Sequence, residues 1–176
     1  MLFISRKRVS TLRTMEGGGR SMATIKDVAA YILEQRGTMS AMKLQKLCYF
    51  SYGYHLAWEE RPLFPERFEA WANGPVSRAL YVCHRRQFEV RLDDVPGNPQ
   101  ALGEDERESI DLVLEGLGEC GASQLSAMTH REGPWVSARM RAGVGPMERS
   151  DEELRDEEIA EYFDALSAAD SDGEEG

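Results

Sequence analysis

The sequence has 176 residues, 41% of them apolar, which suits one domain with one hydrophobic core. The formal net charge is -10, but residues 1–21 carry five basic groups against one acid, and residues 148–176 carry 13 acids against two arginines. The remaining middle is nearly neutral, which argues against non-specific nucleic-acid binding, since such binding depends on neutralising many phosphates.

Compartment and chain ends follow from composition. Cys48, Cys83 and Cys120 are odd in number and widely scattered, so they predict free thiols and a reducing cytoplasm rather than a disulfide framework. The sequence contains no run of about 18 apolar residues, so no membrane span is predicted. Residues 1–21 are predicted to form a disordered basic leader, either an ordinary flexible tail or an extension upstream of a start at Met22.

Two helices are predicted at the start of the domain. Thr24 and Asp27 form a capping-box pattern at the start of the first helix, and Gly37 marks its end. The residues between them place apolar side chains on one helical face. Ser40 can cap a second helix at about 41–58, which is apolar nearly all round and should therefore be a buried central helix. Lys43 and Lys46 lie near its start, where the helix dipole disfavours cations, so we expect them to have acidic partners, either in this fold or in another protein.

Proline and glycine divide the middle of the chain. Residues 68–71 favour a short extended piece, and Asn73-Gly74-Pro75 predicts a turn with proline at the first position of a helix running to about residue 86. Residues 88–92 alternate in the manner of a half-buried strand, with Phe88, Val90 and Leu92 inward. That strand is expected to pair with 68–71.

Four further helices are predicted in the second half. They are expected at 104–117, at 125–130, from Pro134 to about 142, and at about 151–166, the last with Ser150 and Glu153 as its capping box. Residues 167–176 are small and acidic and predict a disordered tail. The whole pattern predicts a mainly α, compact single domain over residues 22–166, built around the buried helix with one short two-stranded β element.

Catalytic chemistry finds little support in the residue pattern. His55, His84 and His130 lie far apart, and no close pair of His or Cys ligands suggests a metal site. Cys48 and His55 stand two helical turns apart, a spacing that fits a core thiol and a core histidine better than a nucleophile and its base. We therefore predict no catalytic, cofactor-binding or metal-binding residues.

Three segments are more specific than simple packing requires. They contain two tryptophan motifs marked by Gly-Pro and a lysine-rich start of the central helix. Together with a loop motif between the first two segments, their residues in chain order are Lys43, Leu44, Gln45, Lys46 and Leu47; Pro62, Leu63 and Phe64 (the loop motif); Glu69, Ala70 and Trp71; Gly74, Pro75 and Val76; Leu125 and Ser126; Thr129 and His130; Pro134 and Trp135; Ala138 and Arg139. This succession resembles the Panacea domain of SocA-like antitoxins of bacteria and phages, over roughly residues 25–165.

The resemblance implies an antitoxin that neutralises a cognate protein toxin by direct contact, without enzymatic activity or a cofactor. The SocA-like branch implies an alternative, an adaptor that delivers the toxin to an ATP-dependent protease. Asn73 departs from the aromatic or charged residue often found before Gly-Pro in this family, and the basic leader and acidic tail lie outside its pattern. No helix-turn-helix is attached, which puts autoregulation by DNA binding in doubt.

Two other classes of function stay open. An enzyme would need His55, His130 and a carboxylate to meet in one pocket. A DNA-binding regulator would need Arg78, Arg85 and Arg86 to form a basic face.

The motif residues themselves have two possible roles, as internal joints of the fold or as contacts to the partner. Trp71 and Trp135 favour the first role by position, although Trp, Tyr and Arg are also the types enriched at interface hot spots. The acidic helix at about 151–166 is a separate candidate surface, suited to a basic toxin.

Overall fold

The computed structural model describes residues 4, 21–131 and 133–172. Its helices, in chain order, are α1 (Ile25–Arg36), α2 (Ala41–Glu59), α3 (Arg78–His84), α4 (Glu104–Leu117), α5 (Ala122–Thr129), α6 (Pro134–Ala142) and α7 (Asp156–Asp172). The strands are β1 (Met39–Ser40), β2 (Glu69–Trp71), β3 (Gly74–Val76) and β4 (Glu89–Val90), and short helical turns lie at Leu92–Asp94 and Pro99–Ala101. The expected mainly α fold is confirmed. No helix of the described part is long and apolar enough to cross a bilayer.

Helix α2 is the centre of the fold. Every residue from Leu44 to Leu56 is buried, and α1, α4, α5 and α7 pack around it. Its start is capped as predicted, because the Ser40 hydroxyl accepts a hydrogen bond from the Lys43 amide at 3.2 Å. The apolar surface of α2, which predicted a buried central helix, is therefore covered by the surrounding helices.

Helix α1 also follows its local sequence signals. Thr24 and Asp27 exchange hydrogen bonds as a capping box, with distances of 2.9 and 3.3 Å. Gly37 ends the helix at a φ of 79°, a backbone conformation that glycine adopts without steric cost. The ends of this helix could be predicted because both signals lie within a few residues of the positions they control.

The strands pair differently from the prediction. β2 and β3 form an antiparallel hairpin in which Trp71 faces Gly74, whereas β4 pairs with β1. Pro75 consequently lies in a strand and starts no helix; α3 begins at Arg78 instead. The alternation over 88–92 fails because only Val90 is buried, while Phe88 is 81% and Leu92 is 42% exposed.

The segment before α7 corrects another expectation. Ser150 and Glu153 cap no helix, and residues 151–154 are extended along β2. The Ala70 amide donates to the Glu152 carbonyl at 2.8 Å, and the Leu154 amide donates to the Phe68 carbonyl at 2.9 Å. The Glu152 carbonyl and the Leu154 amide therefore bind the outer edge of the hairpin instead of forming helix hydrogen bonds. Helix α7 consequently starts only at Asp156.

The chain ends are described in part. Residues 167–172, predicted as tail, continue α7. Residues 173–176 of the predicted tail and residues 1–3 and 5–20 of the predicted leader lie outside the described residues. Ile4 is 3% exposed, and its side chain contacts the position that a Cβ on Gly116 would occupy.

Helix α7 is held against α2 by an aromatic cluster. The Phe163 ring makes edge contacts with Tyr49, Phe50 and Tyr54 at centroid distances between 4.9 and 5.9 Å. Gly53 makes this approach possible, because a Cβ on it would overlap the Phe163 ring. The glycine thus has a packing role that outweighs its poor helix propensity.

Replacing Gly53 by alanine should destabilise the fold. Alanine in a helix interior normally stabilises, but here the added methyl must displace Phe163, and overpacking of this kind costs about 1–3 kcal/mol. Chemical denaturation of the wild type and the variant measures the difference in free energy of unfolding. Gly145→Ala is the control, since its Cβ position has only ordinary contacts, none shorter than 3.7 Å. A Gly53→Ala protein as stable as the control would contradict the packing role.

Candidate partner-binding groove

Gln45 binds the backbone at the end of the β2–β3 hairpin. Its amide oxygen accepts from the Ser77 amide at 2.9 Å, and its amide nitrogen donates to the Ser77 carbonyl at 3.1 Å. The same nitrogen lies 3.0 Å from His84 Nε2. Because an amide nitrogen only donates, His84 Nε2 must accept, so the imidazole is neutral with its proton on Nδ1. Burial lowers the pKa of His84, in agreement with this neutral form.

Lys46 passes beneath the hairpin. The side chain is 1% exposed, and its ammonium donates to the Pro75 carbonyl at 3.0 Å. Gly74 leaves room for it, since a Cβ there would lie 2.6 Å from Lys46 Cε and 2.9 Å from Thr129 Oγ1. Burial lowers the pKa of Lys46 to about 8, which expresses the cost of holding this charge away from water.

The described residues supply no acidic partner for Lys43 or Lys46, so that part of the expectation is wrong, while an acidic partner in another protein stays a prediction. Lys43 Nζ donates to the Gly118 carbonyl at 2.7 Å, and Lys46 also binds a carbonyl. Gly118 directly follows α4, where unpaired carbonyls carry the negative end of the helix dipole. That partial charge replaces the carboxylate that the sequence led us to expect.

The second tryptophan motif also contacts the hairpin. Trp135 is 9% exposed, and its indole nitrogen donates to the Trp71 carbonyl at 2.8 Å. The His130 ring stacks on Trp135 at a centroid distance of 4.2 Å. Thr129 closes its own helix turn by donating to the Ser126 carbonyl at 2.7 Å.

Arg139 ties the hairpin to the loop after α6. Its guanidinium donates to the carbonyls of Ala70, Gly145 and Glu148 at 2.6 to 2.8 Å, and it lies 5.2 Å from the centroid of the Trp135 ring. The side chain is only 4% exposed. Three carbonyl oxygens and an aromatic face therefore compensate a buried positive charge.

The motif residues thus converge on one hairpin. Gln45, Lys46, Trp135 and Arg139 bind the backbone of residues 70–77. Leu44 and Leu47 fill the core beside them, and Pro134 starts α6 as predicted. Lys43 is the exception, because its bond to Gly118 lies outside the hairpin. Whether any motif side chain also touches a partner stays a prediction.

A groove of about 690 Å³ opens beside the hairpin, between the start of α2, α3 and residues 147–150. Four motif residues line it, namely Gln45, Lys46, Trp71 and Val76. Sequence reasoning missed Val82, Met147 and Arg149, which also line it. No local pattern identified them, since exposed apolar residues on a short helix and a loop are common in any sequence.

The groove is positively charged. Arg78, Arg85 and Arg149 line it together with buried Lys46, and none of its described lining residues is Asp or Glu. Arg78 is neutralised, because it forms two hydrogen bonds to the Glu69 carboxylate, at 3.0 and 3.1 Å, and lies 5.8 Å from the centroid of the Trp71 ring. A basic face of Arg78, Arg85 and Arg86 was considered for a DNA-binding regulator. Arg78 and Arg85 line this groove, and Arg86 does not.

The histidines considered for catalysis have separate surroundings. His55 is fully buried in α2, with Nδ1 2.8 Å from Ser109 Oγ, whereas His130 stacks on Trp135. Neither lines the groove, so the pocket that an enzyme would need is not formed by this pair. The described residues contain no group of three His, Cys, Asp or Glu side chains placed to hold a metal ion. Burial raises the pKa of the Cys48 thiol, which opposes thiolate formation.

Comparison with known proteins identifies the class of this fold. The family model described as "Antitoxin SocA-like, Panacea domain" matches residues 44–136, more than half of the chain. The chain belongs to this family. The matched range holds α2 from Leu44 onward, the hairpin and α3, and therefore most of the groove.

One relative is Antitoxin SocA of Caulobacter vibrioides (strain NA1000 / CB15N), to which the chain is 35% identical over 109 residues. The alignment covers 55% of this chain and 58% of that protein. The chain therefore spans less than two thirds of the length of this relative. No solved structure matches the chain.

Arg139 should be intolerant even of lysine. A lysine ammonium keeps the charge but cannot reproduce the planar fork that reaches three carbonyls, and each hydrogen bond to a charged group contributes about 1.5–3 kcal/mol. We expect Arg139→Lys to lower the free energy of unfolding by about 2 kcal/mol or more, measured by urea denaturation. Arg85→Lys, at an exposed position, is the control and should change little. Equal stability of the two variants would show that the three contacts do not support the fold.

Mild acid should destabilise the protein through His84. Its pKa is lowered in the folded state, so the unfolded chain binds more protons below its ordinary pKa of about 6.5. The contribution of neutral His84 to the free energy of unfolding is fully present above the pKa of the unfolded chain. It is lost as the pH falls through the lower pKa of the folded state. His130 carries a shift of the same direction, also from burial.

Melting curves between pH 7.5 and 5.5 test this dependence. His84→Gln, which keeps an acceptor near the position of Nε2, should show a shallower decline than the wild type. Adding His130→Gln should flatten it further. A decline unchanged in His84→Gln would refute a neutral histidine at this position.

Proposed function

We propose that this protein is an antitoxin that binds a cognate protein toxin directly and blocks its activity. The observation that carries the proposal is membership of the SocA-like Panacea family, supported by 35% identity to a protein named as an antitoxin. Under this proposal the protein acts as a binding module and catalyses no reaction.

The described surface has properties that suit protein binding. The groove brings together Trp71, Tyr81 and arginines, the residue types enriched at interface hot spots. Met147 and Val82 are 78% and 63% exposed beside them. Exposed apolar side chains gathered at a concave, charged site favour protein contact over a merely solvated face.

Co-expression tests the antitoxin function. The protein encoded by the adjacent gene should arrest bacterial growth when expressed alone, and this chain should restore colony formation. Leu47→Asp is the control, since a charge at a fully buried position of α2 should unfold the domain and abolish protection. Arrest that persists beside soluble wild-type protein would reject the antitoxin function.

The same strains separate blockade from delivery to an ATP-dependent protease. Direct blockade predicts a stable complex of the two purified proteins and an unchanged cellular amount of toxin. Delivery predicts that the toxin disappears within minutes of antitoxin expression, and that deleting the protease restores both the toxin and the growth arrest. Immunoblots of the toxin after synthesis is stopped measure this difference.

A further inference from the structure

Arg85 and Arg149 supply the groove with positive charge. Both side chains are exposed, and neither has a carboxylate within ion-pair distance among the described residues. The other two cations of the groove are occupied, since Arg78 binds Glu69 and Lys46 binds the Pro75 carbonyl. An incoming ligand therefore meets two available guanidinium groups.

The surroundings of these arginines are apolar. Met42, Val82 and Met147 are 38%, 63% and 78% exposed, and Trp71 and Tyr81 meet edge to face at a centroid distance of 4.9 Å. Unbranched methionine side chains adapt to differently shaped apolar groups. A ligand that covers this surface should bring apolar side chains as well as negative charge.

Charge also excludes one internal candidate for the groove. The basic residues 1–21 would be repelled by Arg85 and Arg149. Three of the six acids of residues 151–158 have cations of their own, since Arg141 binds Glu152 and Glu158, and Arg67 binds Asp156. An acidic ligand from outside the chain would neutralise the two remaining guanidinium groups.

We propose that the groove binds an acidic segment of the toxin, with carboxylates on Arg85 and Arg149 and apolar side chains on Val82 and Met147. The identity of the partner as a toxin rests on the proposed function, whereas the chemistry of the segment rests on the groove alone. The acidic helix α7, considered above as a surface for a basic toxin, is then not the main contact.

Peptide selection tests the chemistry without knowledge of the toxin. A phage library of random dodecapeptides is panned on the wild-type protein after depletion on an Arg85→Glu/Arg149→Glu double variant. We expect the enriched peptides to be net negative and to contain several apolar residues. Enriched peptides of neutral or positive charge, or no enrichment after depletion, would overturn the proposal.

Affinities of the strongest synthetic peptide then locate the site. Fluorescence anisotropy should show at least tenfold weaker binding to Arg85→Glu, Arg149→Glu and Met147→Glu. The matched controls are Arg91→Glu and Met140→Glu, which alter exposed residues outside the groove and should leave the affinity unchanged. Higher salt should weaken wild-type binding, since exposed charge pairs are screened. Equal losses in groove and control variants would also overturn the proposal.

Competition links the groove to the toxin. Purified toxin should displace the peptide, and charge reversal at Glu161 and Asp164 on α7 should leave toxin binding intact. Failure of the toxin to displace the peptide would overturn this inference while the antitoxin function stands. Conversely, failed growth protection with intact peptide binding would reject the antitoxin function and leave the chemistry of the groove established.

Discussion

The β2–β3 hairpin is the element on which the rest of the structure depends, and side chains from distant helices hold its backbone. An isolated hairpin of three-residue strands is marginal in water. Here Gln45 pairs with Ser77 as a neighbouring strand would, Lys46 binds Pro75, and Arg139 binds Ala70. Residues 151–154 complete the outer edge. The hairpin is thus stabilised largely by tertiary contacts, and it couples α2, α6 and the extended segment before α7.

Two of these contacts use buried cations, which is a costly way to bind a carbonyl. Lys46 and Arg139 are 1% and 4% exposed, and no carboxylate among the described residues forms an ion pair with either. Burying a charge is unfavourable unless hydrogen bonds compensate it. Their geometry is correspondingly demanding, because each cationic group must end within hydrogen-bond distance of a hairpin carbonyl. Both side chains therefore fix the position of the hairpin, and loss of either contact would leave a buried charge uncompensated.

How well the sequence predicted each element depended on how local its signals are. The caps of α1 and α2 and the apolar face of α4 act within a few residues, so those helices could be placed closely. Gly74-Pro75 is locally ambiguous, since the pair also occurs at helix starts, and Gln45 and Lys46 settle its conformation from about thirty residues away. Ser150 and Glu153 form a good local cap, but pairing with β2 takes their backbone into an extended segment. The motif residues were identified as a set, whereas Val82, Met147 and Arg149 carry no sequence signal of the groove that they line.

Several motif residues hold the hairpin in place, whereas the exposed residues of the groove form its surface. Motif residues such as Gln45, Lys46, Trp135 and Arg139 have their polar groups bound to the protein backbone, so changing them disturbs the frame. Val82 and Met147 expose most of their surface. The side chains of Arg85 and Arg149 form no hydrogen bond or ion pair with the described residues. Substitutions at these four positions change the shape and charge of the groove while the hairpin stays in place. Under the proposed binding of a toxin in the groove, we expect such substitutions to change partner specificity without unfolding the domain.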